Sequence, residues 1–293
     1  MSTEPTFEVV VEPDTETGDR LVVGLANPGV VGLTVLDHVV REFDADQIGH
    51  VWTRNVATVT PFADGRPRRP IRLYAVPELD ATVVLAEIAV SPVAAEAFAE
   101  ALFGFADDAD LGEVTAINAV PYPHGPADHA VFGVATDDYR DRHPAVVSAP
   151  SDGGVSGDET DAKTSGDETG GETSGEETDV DGADTEETVI RPLQRGFFDG
   201  IVGVLAGRGL DRDTPPVGVL VTPAHPPGPD FEASLLVIEA LEALYGVAVD
   251  ESRLREQFAE QQEYYARLSA ELAELGDGEF EGREYAESGG MYM

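Results

Sequence analysis

The histidines of this sequence are candidate metal ligands, because a neutral imidazole binds divalent ions. His124 and His129 lie in a proline-rich segment, residues 121–129, and His225 lies in another, residues 224–229. A zinc site on one helix needs two histidines one turn apart and a carboxylate, and these prolines exclude a helix. We therefore expect loop histidines without a ligand role, and neither a metal site nor a cofactor.

A glycine-containing turn near the start of the chain has the residue types that could hold a phosphate group. Gly29 is the fifth and Gly32 the eighth residue after Gly24. This spacing differs from the Gly-x-Gly-x-x-Gly fingerprint of dinucleotide sites, and no Gly-Lys followed by Ser or Thr is present, as a P-loop requires. The spacing favours a tight strand-to-helix turn in which glycines permit close packing.

Nucleophilic catalysis finds no support in the residue types. The chain has no cysteine, and it has no Gly-x-Ser-x-Gly elbow to carry a serine nucleophile. The 57 acidic residues are so numerous that no carboxylate pair stands out as a general acid and base. We predict that the protein is not an enzyme and name no catalytic residue.

The last three residues have a pattern suited to binding a partner. The apolar Met291 and the aromatic Tyr292 follow a polar segment rich in glycine, and Met293 supplies the terminal carboxylate. A hydrophobic residue, a tyrosine and any last residue resemble the motif with which proteasome activators enter pockets between α-ring subunits. We expect Met291, Tyr292 and Met293 to contact the partner.

Residues 250–275 show a regular spacing of apolar residues. From Leu254 onward, apolar residues recur at alternating steps of four and three, interrupted by the polar Gln261. This is the seam of a coiled coil, although a helix packed on its own domain would show it as well over so few heptads. We predict a homo-oligomer whose interface includes Leu254, Phe258, Tyr265, Leu268, Leu272 and Leu275.

The charge of the chain limits its environment and its partners. The 18 basic residues against 57 acidic ones give a net charge of −39, and Lys163 is the single lysine. Such a charge repels nucleic acids and anionic membranes, and it is screened in concentrated salt. The composition is typical of a halophilic cytoplasm. No stretch has the ~18 uninterrupted apolar residues of a membrane span, and the start of the chain lacks the pattern of a signal peptide.

One internal segment, residues 151–188, differs from the rest of the chain. It is dominated by acidic, glycine, serine and threonine residues and lacks aromatic residues, leucine and isoleucine. It cannot bury enough apolar area to offset the entropy of ordering. We predict a disordered acidic insertion.

The flanking sequence alternates between strand-like and helix-like stretches, which indicates an α/β protein. We predict one domain from residues 1–150 and 189–249, a C-terminal helix at 250–275 ended by Gly276, and a flexible tail at 276–293. Strands are expected at 7–11, 21–25, 48–52, 71–76, 82–88, 114–119, 130–135 and 217–221, and helices at 30–40, 92–103, 197–206 and 231–245.

Two glycine-spaced segments together give a family resemblance. Residues 22–32 resemble the opening of the proteasome assembly chaperone 2 family, and residues 196–205 are similar to its second glycine-spaced helix start. A buried strand, a turn at 228–230 and a helix rich in alanine and leucine follow in the family's order. The resemblance covers about residues 8–275, with the acidic insertion as a departure from the family pattern.

The resemblance implies a fold and a function. The fold would be a three-layer α/β/α domain similar to the nucleoside phosphorylase/hydrolase-like fold, with a C-terminal helical extension. The function would be non-catalytic binding to proteasome α subunits by a homo-oligomeric assembly chaperone or activator-like factor. An alternative remains open, namely a nucleotide- or nucleoside-binding enzyme of phosphorylase-like or ATP-grasp-like type.

Overall fold

A computed structural model of the chain describes residues 4–13, 15–122, 129–144, 190–225 and 228–279. The predicted acidic insertion at 151–188, His124 and the terminal residues Met291, Tyr292 and Met293 lie outside these ranges. Residues on both sides of the gap at 145–189 contribute strands to the same sheet.

The centre of the fold is a nine-stranded mixed sheet. Its strands, in chain order, are β1 Thr6–Val11, β2 Arg20–Leu25, β3 Asp46–Arg54, β6 Ile71–Val76, β7 Ala81–Ala86, β8 Glu113–Pro121, β9 Val131–Ala135, β10 Ile190–Pro192 and β11 Val217–Ala224, with a small separate hairpin of β4 Phe62–Ala63 and β5 Arg66–Pro67. Their order across the sheet is β1, β3, β6, β7, β2, β8, β11, β9 and β10. The four central strands β7, β2, β8 and β11 are mutually parallel.

The composition of the strands explains which of them lie at the centre. Every residue of β7 and of β11 is buried, as expected for parallel strands covered on both faces. The first strand instead alternates between exposed and half-buried positions, which fits an antiparallel edge strand with one solvated face.

Helices cover both faces of the sheet. They are α1 Val31–Glu42, α2 Pro92–Asp108, α3 Asp137–Arg142, α4 Gly200–Arg208, α5 Phe231–Tyr245 and α6 Ser252–Glu279. On one face, α1 and α5 pack together with the start of α6 over β2 and β11, around residues such as Val22 and Leu220. On the other face, α2 and α4 pack over residues such as Val23 and Val219.

The predicted α/β class is confirmed, and most element positions agree with the expectation to within a few residues. Sequence patterns missed the β4–β5 hairpin, α3 and β10, which are short elements. The last helix runs past Gly276, where we expected it to end, and continues to Glu279. A glycine in a helix interior costs only about 1 kcal/mol relative to alanine, so Gly276 disfavours the helix without excluding it. Among the described residues, no helix has the length and apolarity to cross a membrane.

Candidate functional site

The carboxyl ends of the parallel strands lie at one edge of the sheet. There β2 ends at Leu25, β8 at Pro121 and β11 at Ala224, and the loops that follow them come close together. Open α/β sheets bind their ligands outside this edge. This edge is therefore the candidate location of a functional site.

The glycine turn after β2 is built for close packing. A Cβ on Gly24 would lie 2.5 Å from the carbonyl oxygen of Gly32, so only glycine lets α1 approach the strand here. Gly29 has a positive φ of 67°, and a Cβ there would come within 2.8 Å of the Cβ of Ala224. The predicted packing role of these glycines is confirmed. Val30 follows with a φ of 43°, which is a strained conformation for a β-branched residue.

Hydrogen bonds tie this turn to the neighbouring strand ends. The side-chain amide of Asn27 donates to Oδ1 of Asn118 over 2.6 Å. The backbone N–H of Asp230 donates to the carbonyl oxygen of Gly29 over 2.9 Å. The turn is thereby fixed to β8 and to the start of α5, and not left as a mobile loop.

Two of the three histidines singled out in the sequence meet at this edge. One ligand atom each from His129, His225 and Asp230 can be chosen so that all lie within 4.8 Å of one another. Nδ1 of His225 is 3.2 Å from Oδ2 of Asp230, and Nε2 of His129 is 3.6 Å from Oε2 of Glu232. These side chains are the candidates for holding a metal ion in the part of the chain that the structure describes.

A cavity of about 390 Å³ adjoins this histidine–carboxylate cluster. One wall is formed by His225, Asp230 and Glu232, and α6 supplies the opposite wall with residues that include Phe258 and Tyr265. The side-chain amide of Gln261 donates to the carbonyl oxygen of Pro229 over 3.1 Å. The C-terminal helix is thus anchored beside the cluster of His129, His225, Asp230 and Glu232, which we call the strand-end site.

The opposite edge of the sheet holds a buried carboxylate, Glu113, whose residue is 3% exposed. Nε of Arg20 donates to its Oε1 over 3.1 Å, and Nε2 of His143 lies 2.9 Å from both oxygens. A buried carboxylate needs such partners to offset its desolvation. This cluster fastens α3 to β2 and β8, which is a structural role.

Two tyrosine hydroxyls meet beside this carboxylate at Thr115. The hydroxyl of Tyr245 donates to Oγ1 of Thr115 over 2.7 Å, and the hydroxyl of Tyr139 lies 2.7 Å from the same oxygen. Burial raises the pKa of Tyr245 to about 12, and burial raises the pKa of Tyr139 well above its usual value. Both phenols therefore stay protonated at neutral pH and hold α3 and α5 to β8.

The residues predicted for an oligomer interface are divided between core and surface. Leu254 is 1% exposed and belongs to the core of its own domain, and Phe258 packs against that core. Tyr265 and Leu268 are 49% and 38% exposed. The backbone of α6 includes Leu272 and Leu275. The first turns of α6 thus contact α5, and the exposed apolar residues begin further along the helix.

Comparison with known proteins identifies the family. The PAC2 family model matches residues 21–269. The chain belongs to the PAC2 family. The resemblance to the proteasome assembly chaperone 2 family is thus confirmed at the level of the family. A search of curated proteins found no match.

Several solved structures share the fold. Pyrococcus furiosus PbaA, an archaeal homolog of proteasome-assembly chaperone, is 18% identical with a TM-score of 0.67, over 93% of this chain and 95% of that one. Pyrococcus furiosus PbaB, an archaeal proteasome activator, is 16% identical with a TM-score of 0.63, over 92% and 100%. A Thermoplasma acidophilum protein of unknown function is 19% identical with a TM-score of 0.62, over 92% and 94%. At these identities the likeness shows the fold alone.

Sequence reasoning missed two residues of the strand-end site. The sequence pattern places Asp230 in a turn at 228–230, and nothing in it distinguishes Glu232 from the many other acidic residues. Asp230 is the N-cap of α5, where its side chain accepts a hydrogen bond from the N–H of Ala233. An Asp before a long amphipathic helix is a recognisable cap signal, but its closeness to His129 depends on the pairing of β9 with β11.

Proposed function

We propose that this PAC2 family member binds the proteasome, as an assembly chaperone or activator-like factor. The observation that carries the proposal is the family match over residues 21–269. The shared fold with PbaA and PbaB supports it, since these two proteins are described as a homolog of a proteasome-assembly chaperone and as a proteasome activator.

The proposed contact is the C-terminal tripeptide, docked on the α ring. The carboxylate of Met293 would pair with a basic residue of the pocket between α subunits, where a charge-assisted hydrogen bond is strong. The ring of Tyr292 would lie against the pocket wall, and Met291 would fill an apolar shelf. Buried aromatic residues and charged contacts dominate small interfaces.

Self-association would present several tails to the ring at once. The exposed stretch of α6 carries Tyr264, Tyr265 and Leu268, which are 57%, 49% and 38% exposed. In the described part of this helix, the buried Leu254 and the packed Phe258 lie in the first turns, and helices in proteins owe most of their stability to such tertiary packing. We propose that this stretch packs against a second copy of the chain, and that the resulting avidity strengthens binding to the ring.

The proposal also includes a likeness to a known fold and a salt-rich environment. A likeness of the α/β/α domain to the nucleoside phosphorylase/hydrolase-like fold is supported by the helices on both faces of a sheet whose central strands are parallel. The net charge of −39 and the single lysine support a salt-adapted cytoplasm. All binding experiments are therefore designed for molar salt.

The experiment is a pull-down of proteasome α subunits with the full chain and with Tyr292→Ala. We expect the substitution to weaken binding at least about tenfold, as for a hot-spot aromatic residue. One extra residue after Met293 should have a similar effect, because it displaces the terminal carboxylate. Tyr285→Ala is the matched control, since it removes a second tyrosine of the same C-terminal segment and should leave binding unchanged.

Deletion of residues 291–293 separates the tail from the folded domain. If the shortened protein binds α subunits as tightly as the intact chain, recognition lies on the domain and the docking mode is wrong. If neither version binds α subunits, the proposed function itself fails.

The alternative of a nucleotide- or nucleoside-binding enzyme draws on one observation, the cavity at the carboxyl ends of the parallel strands. Ligands of open α/β sheets bind at that edge. A saturable rise of the thermal midpoint with ATP or a nucleoside would support this alternative. An unchanged midpoint would exclude it.

A further inference from the structure

We propose that His129, His225 and Asp230 form a binding site for a divalent transition-metal ion of the zinc type, and that Glu232, whose Oε2 is 3.6 Å from Nε2 of His129, rotates to become a fourth ligand. Two imidazoles and two carboxylates form a ligand set that suits zinc and similar ions. This proposal departs from the expectation of loop histidines without a ligand role. It does not depend on whether the protein binds the proteasome.

Two of the separations are close to those around a tetrahedral ion. Bonds of 2.0–2.1 Å to nitrogen and oxygen place two ligand atoms about 3.3 Å apart. Nδ1 of His225 and Oδ2 of Asp230 are 3.2 Å apart, and Nε2 of His129 and Oε2 of Glu232 are 3.6 Å apart. The separations within the set of His129, His225 and Asp230 do not exceed 4.8 Å. The upper limit of 4.8 Å is longer than the tetrahedral spacing, so the side chains would draw closer around a bound ion, and the His225 side chain, which is 54% exposed, has room to move.

The carboxylate of Asp230 is held in place by the backbone. Its Oδ1 accepts from the N–H of Ala233 over 3.0 Å, and its Oδ2 accepts from the N–H of His225 over 2.8 Å. Each carboxylate oxygen has a second lone pair, so Oδ2 can bind an ion while keeping this hydrogen bond. Hydrogen bonds of this kind orient metal ligands and increase affinity.

The fold brings the histidines together from two different loops. His129 precedes β9 and His225 follows β11, and the antiparallel pairing of these strands places the start of one beside the end of the other. The two imidazole rings lie 5.3 Å apart, centroid to centroid. The side chain of His129 is 4% exposed, whereas that of His225 faces the cavity beside α6. An ion would be reached from the cavity side.

The local charges favour a cation. Asp230 and Glu232 contribute two negative charges, and the two imidazoles are neutral when they act as ligands. The amino end of α5 opposes a cation with a partial positive charge of about half a unit, and the two carboxylates outweigh it. A divalent ion would neutralise the carboxylates and join the loop before β9, the loop after β11 and the first turn of α5.

A bound ion would also affect α6. Gln261 donates to the carbonyl oxygen of Pro229, the residue before Asp230, so the loop that supplies a ligand also anchors this helix. We expect metal binding to stabilise the junction between α5 and α6.

The test is a calorimetric titration of the full chain with Zn²⁺ in molar salt and excess Mg²⁺. The Mg²⁺ occupies acidic surface sites, because it prefers oxygen ligands and retains its waters. We expect one Zn²⁺ per chain and a raised thermal midpoint. Titration with Co²⁺ should give the intense visible absorption of a tetrahedral complex, and thiolates cannot contribute because the chain has no cysteine.

The key variant is His225→Ala, since its half-exposed ring can be removed without opening the core. It should weaken Zn²⁺ binding about tenfold or more, as expected for loss of a direct ligand. His129→Gln should act likewise, with circular dichroism to confirm folding. His50→Ala is the matched control, because it removes a histidine of β3, which is six strands away from β9 in the sheet. Zn²⁺ binding that is absent, that Mg²⁺ abolishes, or that His225→Ala leaves at the wild-type affinity would overturn the proposal.

Discussion

Gly24 and Gly32 meet at the junction of β2 and α1, where a Cβ on Gly24 would lie 2.5 Å from the carbonyl oxygen of Gly32 and 2.9 Å from Cδ1 of Leu36. The helix can therefore lie directly on the strand. This contact sets the position of the turn at residues 27–30, and through Gly29 it sets the position of Asp230, whose backbone N–H bonds to the Gly29 carbonyl.

Gly24→Ala should destabilise the fold, because the added methyl group meets backbone that cannot move independently. We expect a loss of about 1–3 kcal/mol or more in the free energy of unfolding, the range for overpacking. Denaturant unfolding in molar salt measures it. Gly104→Ala is the control, because a Cβ at this exposed position in α2 meets nothing within 4 Å. It should raise stability by up to about 1 kcal/mol, and equal effects of the two variants would contradict the packing argument.

The glycine turn and the main elements could be predicted from the sequence because they depend on local patterns. Glycine spacing after an apolar strand indicates the turn, and the strand-like stretches at 82–88 and 217–221 predict β7 and β11. The short elements α3 and β10 were missed because the apolar residues that support them, such as those around Tyr139, come from distant parts of the chain.

The strand-end site depends on topology and could not be predicted. His129 and His225 meet because β9 lies antiparallel to β11 in the sheet, and no local spacing signals this. The apolar residues of α6 are a similar case, because some lie in the core and others are exposed. Leu254 and Leu268 have the same character in the sequence, but only Leu254 lies over the core.

A second prediction concerns alkaline pH and the tyrosines at Thr115. The pKa of Tyr245 is raised by burial from about 10 to about 12, so between these values the unfolded chain loses a proton that the folded chain retains. The free energy of unfolding should therefore fall as pH rises from 10 to 12, by up to about 2–3 kcal/mol. Below pH 10 this group should have no effect.

Denaturant unfolding over a series of pH values tests this slope. Tyr245→Phe should make the decline between pH 10 and 12 shallower, although it also removes the hydrogen bond to Thr115 and so lowers stability at neutral pH. Tyr264→Phe removes an exposed hydroxyl and should leave the slope as it is in the natural sequence. An unchanged slope in Tyr245→Phe would show that this phenol does not control the alkaline loss.

A third prediction concerns the ion pair between Arg72 and Glu87. The Arg72 side chain is 1% exposed, and its Nη1 and Nη2 donate to the two Glu87 oxygens over 2.9 and 3.1 Å. Glu87→Ala leaves a buried guanidinium without its counter-charge, which costs about 3 kcal/mol or more. Glu96→Ala is the control. The Glu96 side chain is 63% exposed and pairs with Arg208, so its loss should cost under about 1 kcal/mol. Similar losses of unfolding free energy in both variants would show that burial of Arg72 is not decisive.

The last prediction concerns self-association through α6. Leu268 is 38% exposed, and Tyr265 on the same side of the helix is 49% exposed, so a second copy of the chain can cover both. Leu268→Glu would place a charge in that apolar contact, where it has no partner. Light scattering in molar salt should then give a smaller mass, with the circular dichroism spectrum unchanged.

Two further variants separate the interface from the fold. Ala266→Glu adds the same charge at an exposed position about 200° around the helix and should leave the mass as in the natural sequence. Leu254→Glu should instead lower the thermal midpoint, because Leu254 lies in the core of its own domain at 1% exposure. Since both controls add the same charge to the same helix, only the position of Leu268 distinguishes the outcomes. An unchanged mass for Leu268→Glu would therefore confine α6 to its own subunit.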